Sequence, residues 1–184
     1  FTHFHADHIS GLPGMLLTMG NAERTEPLLL VGPKGLSRVV ASLRVIAPEL
    51  PFVIDCLELT ENEQSIAFDG FKIEAFKVNH NVPCYGYSIV IDRIGKFQVE
   101  KAVSLGIDKR YWSRIQHGEV IETSEGTFTP EMVLGEKRKG LRVTYCTDTR
   151  PTDSILQHAK EADLFICEGM YGDCLLYTSD AADD

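Results

Sequence analysis

The chain has 184 residues (20.5 kDa), 43% of them hydrophobic and 24% charged, which is enough apolar material for one domain with a core. That balance excludes a disordered tail, a collagen-like fibre and a coiled coil, and no apolar run approaches the roughly 20 residues of a membrane-spanning helix. A net charge of −9 and a pI near 5.1 give no whole-chain attraction for nucleic acid, although a local basic face can supply one.

In chain order, a histidine-rich stretch at residues 3–8 leads into a predicted helix over 11–19 that tolerates Pro13 in its first turn. Residues 27–31 form a short apolar run stopped by Gly32-Pro33, the pattern of a strand covered on both faces. Leu36, Val39, Val40 and Leu43 then recur at helical spacing, and residues 52–59 alternate as a strand. Residues 65–78 read as a hairpin, with Asp69-Gly70 expected to supply the positive φ angles of a tight turn. A strand over 85–91 follows.

Residues 93–140 differ in kind: polar, glycine-punctuated, with short helical stretches at 99–105 and 111–116 and little apolar periodicity. They read as an inserted arm. A strand (142–146), a helix (152–160) and a strand (164–167) complete an α/β pattern of sheet with helices outside. The last eleven residues, 174–184, look foreign and resemble a translated sequencing adapter, so the domain is expected to occupy 1–173 of a piece cut at both ends. Cys56, Cys84, Cys146 and Cys167 form no CxxC pair and read as reduced thiols of a cytoplasmic protein.

His3-x-His5-x-Asp7-His8 puts three imidazoles and a carboxylate in six residues. At the end of a strand, alternation turns His3 and His5 to one side, with Asp7 and His8 on the loop beyond. Such an edge can present two ligand sets to adjacent cations, and imidazole with carboxylate suits zinc or, less selectively, another first-row divalent ion. Taken alone, His80 reads as a strand-end histidine and Asp148 as a helix N-cap.

His3-Phe-His5-Ala-Asp7-His8 resembles the signature of the metallo-β-lactamase superfamily, and its continuation through Ile9-Ser-Gly-Leu-Pro-Gly14 resembles the ribonuclease Z family, the endonucleases that trim precursor tRNA 3′ ends. Residues 79–87, 95–107 and 146–151 resemble later segments of that family, in order. The resemblance implies an αββα sandwich, here incomplete, with two Zn2+ per complete subunit. It implies that His3, His5 and His80 hold one ion, Asp7 and His8 the other, and that Asp148 bridges them. Asp7 is further implied as the catalytic proton acceptor or water orienter. A last histidine ligand is expected beyond Asp173. Cys167-Glu168-Gly169-Met170-Tyr171 stands where relatives carry His-Glu-Ala-Thr-Phe, so Glu168 is read as a supporting carboxylate.

A two-metal site fixes hydrolysis but leaves the substrate open among phosphodiesters, lactones, thioesters and lactams. Between Arg93 and Gln116 stand six bases against two acids, with Tyr111 and Trp112 among them. Such an arm is either a solvated face or a grip on folded RNA. The resemblance favours the grip, through Lys96, Lys101, Lys109, Arg110 and Arg114, although Asp108-Lys109-Arg110 stands where relatives often have Gly-Pro. It implies precursor tRNA as partner, a homodimer and a cytoplasmic location. A hydrolase of small phosphodiesters or sulfate esters, or a non-catalytic RNA-binding relative, are the alternatives.

Overall fold

The computed structural model describes residues 1–124 and 126–168; the foreign-tail reading at 174–184, like Gly169 to Tyr171, lies outside them. The chain forms two compact units. One comprises Phe1–Val90 and the described residues from Arg142 onward, the other Ile91–Leu141.

In the first unit, residues 1–5 lead into α1 (Ala6–Ile9) and α2 (Leu12–Asn21), whose first turn accommodates Pro13 because the missing N–H has no partner there anyway. Next come β1 (Leu28–Pro33), α3 (Leu36–Leu43), a single 3-10 turn (Arg44–Ile46) and β2 (Ile54–Leu59). β1 and β2 pair in parallel, Leu28 opposite Ile54 and Pro33 opposite Leu59, with α3 as the crossover. Ile9, Leu12, Leu16, Leu30, Leu36, Val40 and Phe52 meet in one core, each large side chain contributing about 1.5–3 kcal/mol on burial.

β3 (Glu63–Phe68) and β4 (Phe71–Lys77) form the expected hairpin. Only Gly70 takes a positive φ (+83°); Asp69 does not, so the turn needs one left-handed residue rather than two. β5 (Tyr85–Arg93) follows. In the other unit lie α4 (Val99–Ser104), α5 (Lys109–Gln116), β6 (Ile121–Thr123), β7 (Gly126–Phe128) and α6 (Pro130–Val133). Then come β8 (Arg138–Cys146), α7 (Asp153–Lys160), N-capped by the Thr152 hydroxyl, and β9 (Leu164–Cys167). The five-stranded sheet runs β3-β4-β5-β8-β9, with β8 and β9 parallel.

Two differences from the sequence reading matter. Residues 1–5 belong to no helix or strand; they are held instead by the Tyr85 N–H donating to the Thr2 carbonyl (3.0 Å) and the Tyr87 hydroxyl donating to the Phe1 carbonyl. The Ile91–Leu141 unit, polar in composition, has its own core of Ala102, Ile107, Ile115, Ile121 and Val133, with Phe97, Tyr111, Trp112 and Phe128 packed on it. Trp112 is thereby a packing residue, its indole N–H donating to the Ile107 carbonyl at 2.9 Å.

Backbone hydrogen bonds within that unit join its early and late residues. The Gly135 N–H donates to the Lys96 carbonyl (2.9 Å) and the Gln98 N–H to the Val133 carbonyl (2.8 Å). A Cβ on Gly95 would overlap the Gly135 carbonyl oxygen. Gly95→Ala is therefore expected to destabilise this unit by about 1–3 kcal/mol, the range for forced overpacking. Hydrogen exchange should show weakened protection within residues 91–141 and little change elsewhere; unaltered protection there would contradict the close approach.

Candidate metal centre

Three loop edges of the first unit bring the site together. Residues 3–8 run from the N-terminal stretch into α1, His80 lies three residues past β4, and Asp148 two residues past β8. The last two edges are tied to each other: the Asn79 N–H donates to Thr149 Oγ1 (3.1 Å), and the Arg150 N–H donates to the Asn79 carbonyl (2.9 Å). Thr152, not Asp148, caps α7, which leaves the Asp148 carboxylate to the centre.

Two overlapping donor groups result. His3, His5, His80 and Asp148 form one, and Asp7, His8 and Asp148 the other; within each, one ligand atom per residue lies within 4.8 Å of the rest. Asp148 Oδ2 stands 3.2 Å from His3 Nε2 and 2.8 Å from His8 Nε2, while Asp7 Oδ2 is 3.0 Å from His8 Nε2. His80 Nε2 and His5 Nδ1 are 3.2 Å apart. The His3 ring lies 4.7, 4.3 and 4.8 Å, centroid to centroid, from those of His5, His8 and His80.

Burial favours a neutral His3. His3 is fully buried, and burial, reinforced by His8, His80 and His5 and opposed by Asp7, pushes it down to about 4. Its ring is thus uncharged at neutral pH and has a lone pair to give. Four imidazoles and two carboxylates converge here, and they fit divalent cations by donor type and number.

Asp148 sits at φ +34°, an uncommon angle for a non-glycine residue and one that holds about 1–2 kcal/mol of strain. Its surroundings impose that geometry. Glu168 Oε2 accepts from the Asp148 N–H at 3.2 Å and lies 2.8 Å from Thr147 Oγ1, which is also 2.9 Å from Asp148 Oδ1. The Thr147 hydroxyl thus lies within hydrogen-bonding distance of both carboxylates.

Sequence reasoning missed Thr147, Thr2 and Cys84, the last two of which face His3 Nδ1 at 3.1 and 3.7 Å. The only sequence signal for Thr2 was its place immediately before the first histidine; Cys84 offered none. His158 lies apart from the donor groups, stacked on Phe76 (4.0 Å) with Nδ1 3.1 Å from Ser88 Oγ. His117 lies on the other unit, its Nδ1 beside the Ser113 carbonyl.

In that unit Lys96, Lys101, Lys109, Arg110 and Arg114 are all exposed. The Arg110 guanidinium lies 4.6 Å over the Tyr111 ring, Lys109 Nζ 5.9 Å from that of Trp112, and Arg114 pairs with Glu119 through both its Nε (2.7 Å) and a terminal nitrogen.

No family model matches the chain. Over 173 residues, 94% of its length, the chain is 62% identical to a ribonuclease Z of Lachnospira eligens, and over 172 residues it is 59% identical to that of Agathobacter rectalis. A ribonuclease Z of Clostridium kluyveri matches at 48% over 174 residues. The chain is thus a relative of ribonuclease Z proteins over nearly its whole length, and it spans 57% of theirs. Among solved structures, a metallo-β-lactamase fold protein from Bacillus subtilis aligns with 89% of this chain and 45% of its own, at TM-score 0.48 and 17% identity. Human tRNase Z, short form, aligns with 71% of this chain and 63% of its own, at TM-score 0.45 and 23% identity.

Proposed function

We infer from this likeness that the chain is part of a ribonuclease Z, and we propose that the full-length protein is a metal-dependent endoribonuclease that removes the 3′ trailer from precursor tRNA, leaving a tRNA 3′ hydroxyl. The observation that carries the reading is the pair of donor groups sharing Asp148, in a chain 62% identical to a ribonuclease Z.

His3, His5, His80 and Asp148 would hold one zinc ion, and Asp7, His8 and Asp148 a second. Bound cations supply Lewis acidity toward a phosphate oxygen and an acidified water. The chain's own groups do the rest. Asp7 is the catalytic residue: its carboxylate is 46% exposed at the rim, where it can orient the attacking water and accept its proton. The buried carboxylate of Asp148 keeps the two donor groups adjacent, and Glu168 with Thr147 keeps Asp148 aimed.

Lys96, Lys101, Lys109, Arg110 and Arg114 are proposed to contact RNA phosphates, which favours a large folded substrate over a small diester. The incomplete αββα sandwich, the insertion of an arm at about 93–140 and the homodimer are supported by the family resemblance. A cytoplasmic location is supported by that resemblance and by free thiols at Cys56, Cys84, Cys146 and Cys167.

The test is cleavage of a precursor tRNA with a 3′ trailer by the full-length protein, with the cut mapped. One metal-dependent cut at the acceptor-stem end is expected. Hydrolysis of a small diester with no cut in the precursor would replace tRNA with a small substrate.

A further inference from the structure

The ring of His3 is fully buried and has two distinct ends. Nε2 faces Asp148 Oδ2 at 3.2 Å, on the side where the other ligand atoms converge. Nδ1 faces away from them, 3.1 Å from Thr2 Oγ1 and 3.7 Å from Cys84 Sγ. A neutral imidazole carries one proton. If the Nε2 lone pair is given to a cation, that proton sits on Nδ1, and in a solvent-free place it needs an acceptor.

The two candidate acceptors are unequal. Sulfur is a weak acceptor, and Cys84 Sγ stands at the longer distance. The Thr2 hydroxyl is the stronger acceptor and the closer one. Its position is also fixed, because the Thr2 carbonyl accepts the Tyr85 N–H at 3.0 Å, which anchors residue 2 to β5.

We propose that Thr2 is a positioning residue for the metal centre: its hydroxyl accepts the Nδ1–H of His3, selects the tautomer with a free Nε2 lone pair, and fixes the plane of the ring. This inference rests on the metal-centre reading of the preceding subsection. Hydrogen bonds of this kind behind a ligating histidine typically carry about 10–100-fold in metal affinity.

The experiment compares the full-length protein with Thr2→Val, which keeps branching and volume but removes the oxygen, and with Thr2→Ser, which keeps the oxygen. Zinc affinity of each metal-free protein is read by competition with a chromogenic chelator. The His3 Nδ1–H is followed by imidazole NMR in the zinc-loaded forms. Thr2→Val is expected to weaken affinity about 10–100-fold and to show a fast-exchanging Nδ1–H, while Thr2→Ser stays near wild type. Should Thr2→Val fail to fold, Thr2→Ala against Thr2→Ser makes the same comparison. Wild-type affinity with a protected Nδ1–H in Thr2→Val overturns the inference alone. So does an equal weakening in Thr2→Ser, since packing rather than the hydroxyl is then at work. A wild-type protein that binds no zinc overturns the metal-centre reading and this inference with it.

Discussion

Asp7→Ala in the full-length protein should reduce precursor cleavage by about 10³-fold, within the range for loss of a positioned general base. The geometry explains why the defect is chemical rather than structural. Asp7 lies at the exposed rim, its side chain 46% accessible, and it meets the centre at His8 Nε2, 3.0 Å away. The group formed by His3, His5, His80 and Asp148 does not include it. Asp7→Ala should therefore fold and retain that group's zinc while turning over little substrate. Asp7→Asn, which keeps the shape but not the basicity, should be similarly impaired. Wild-type turnover by either variant, measured with precursor tRNA in excess, would remove Asp7 from its proposed role.

Neutralising Lys109, Arg110 and Arg114 together to Gln should separate RNA binding from hydrolysis. Removing a cation that neutralises one phosphate flattens the salt dependence of binding by about 0.7–0.9 in log–log slope, so the triple variant should flatten it by roughly 2 units. Arg114 is already paired with Glu119, which makes its share smaller than that of a free cation. A rise of about 10–100-fold in KM for precursor tRNA at moderate salt should accompany the change. Hydrolysis of a small chromogenic diester should be unchanged, since the altered side chains belong to the Ile91–Leu141 unit and the donor groups to the other. Equal impairment on both substrates would show that these cations do not select RNA.

Much of the fold could be read from local pattern. The alternation of residues 52–59, the hairpin around Gly70 and the helical spacing from Leu36 each depend on neighbours in sequence, and each formed near its expected bounds. The Ile91–Leu141 core could not be read that way. Its helices are only four to eight residues long, and its apolar residues come from helices, a hairpin and loops that meet only after folding. The small β6–β7 hairpin and α6 were missed for the same reason.

The candidate centre divides along the same line. His3, His5, Asp7 and His8 stand together in six residues and announce themselves as ligands by type and spacing. His80 and Asp148 are ordinary residues in their local context; what brings them together is the edge of the sheet, through the Asn79 hydrogen bonds to Thr149 and Arg150. The supporting roles of Thr2, Cys84 and Thr147 are legible only from coordinates, because a contact across 81 positions, such as that of Cys84 with His3, leaves no pattern in a single sequence.

The shared carboxylate is the central claim, and titrating zinc into the metal-free full-length protein tests it most directly. Asp148 Oδ2 lies 3.2 Å from His3 Nε2 in one donor group and 2.8 Å from His8 Nε2 in the other. Wild type should take up two equivalents per subunit, and Asp148→Ala should weaken both, since one side chain serves both groups. Uptake of a single equivalent by wild type, or a weakening in Asp148→Ala confined to one of two sites, would contradict a centre built around Asp148.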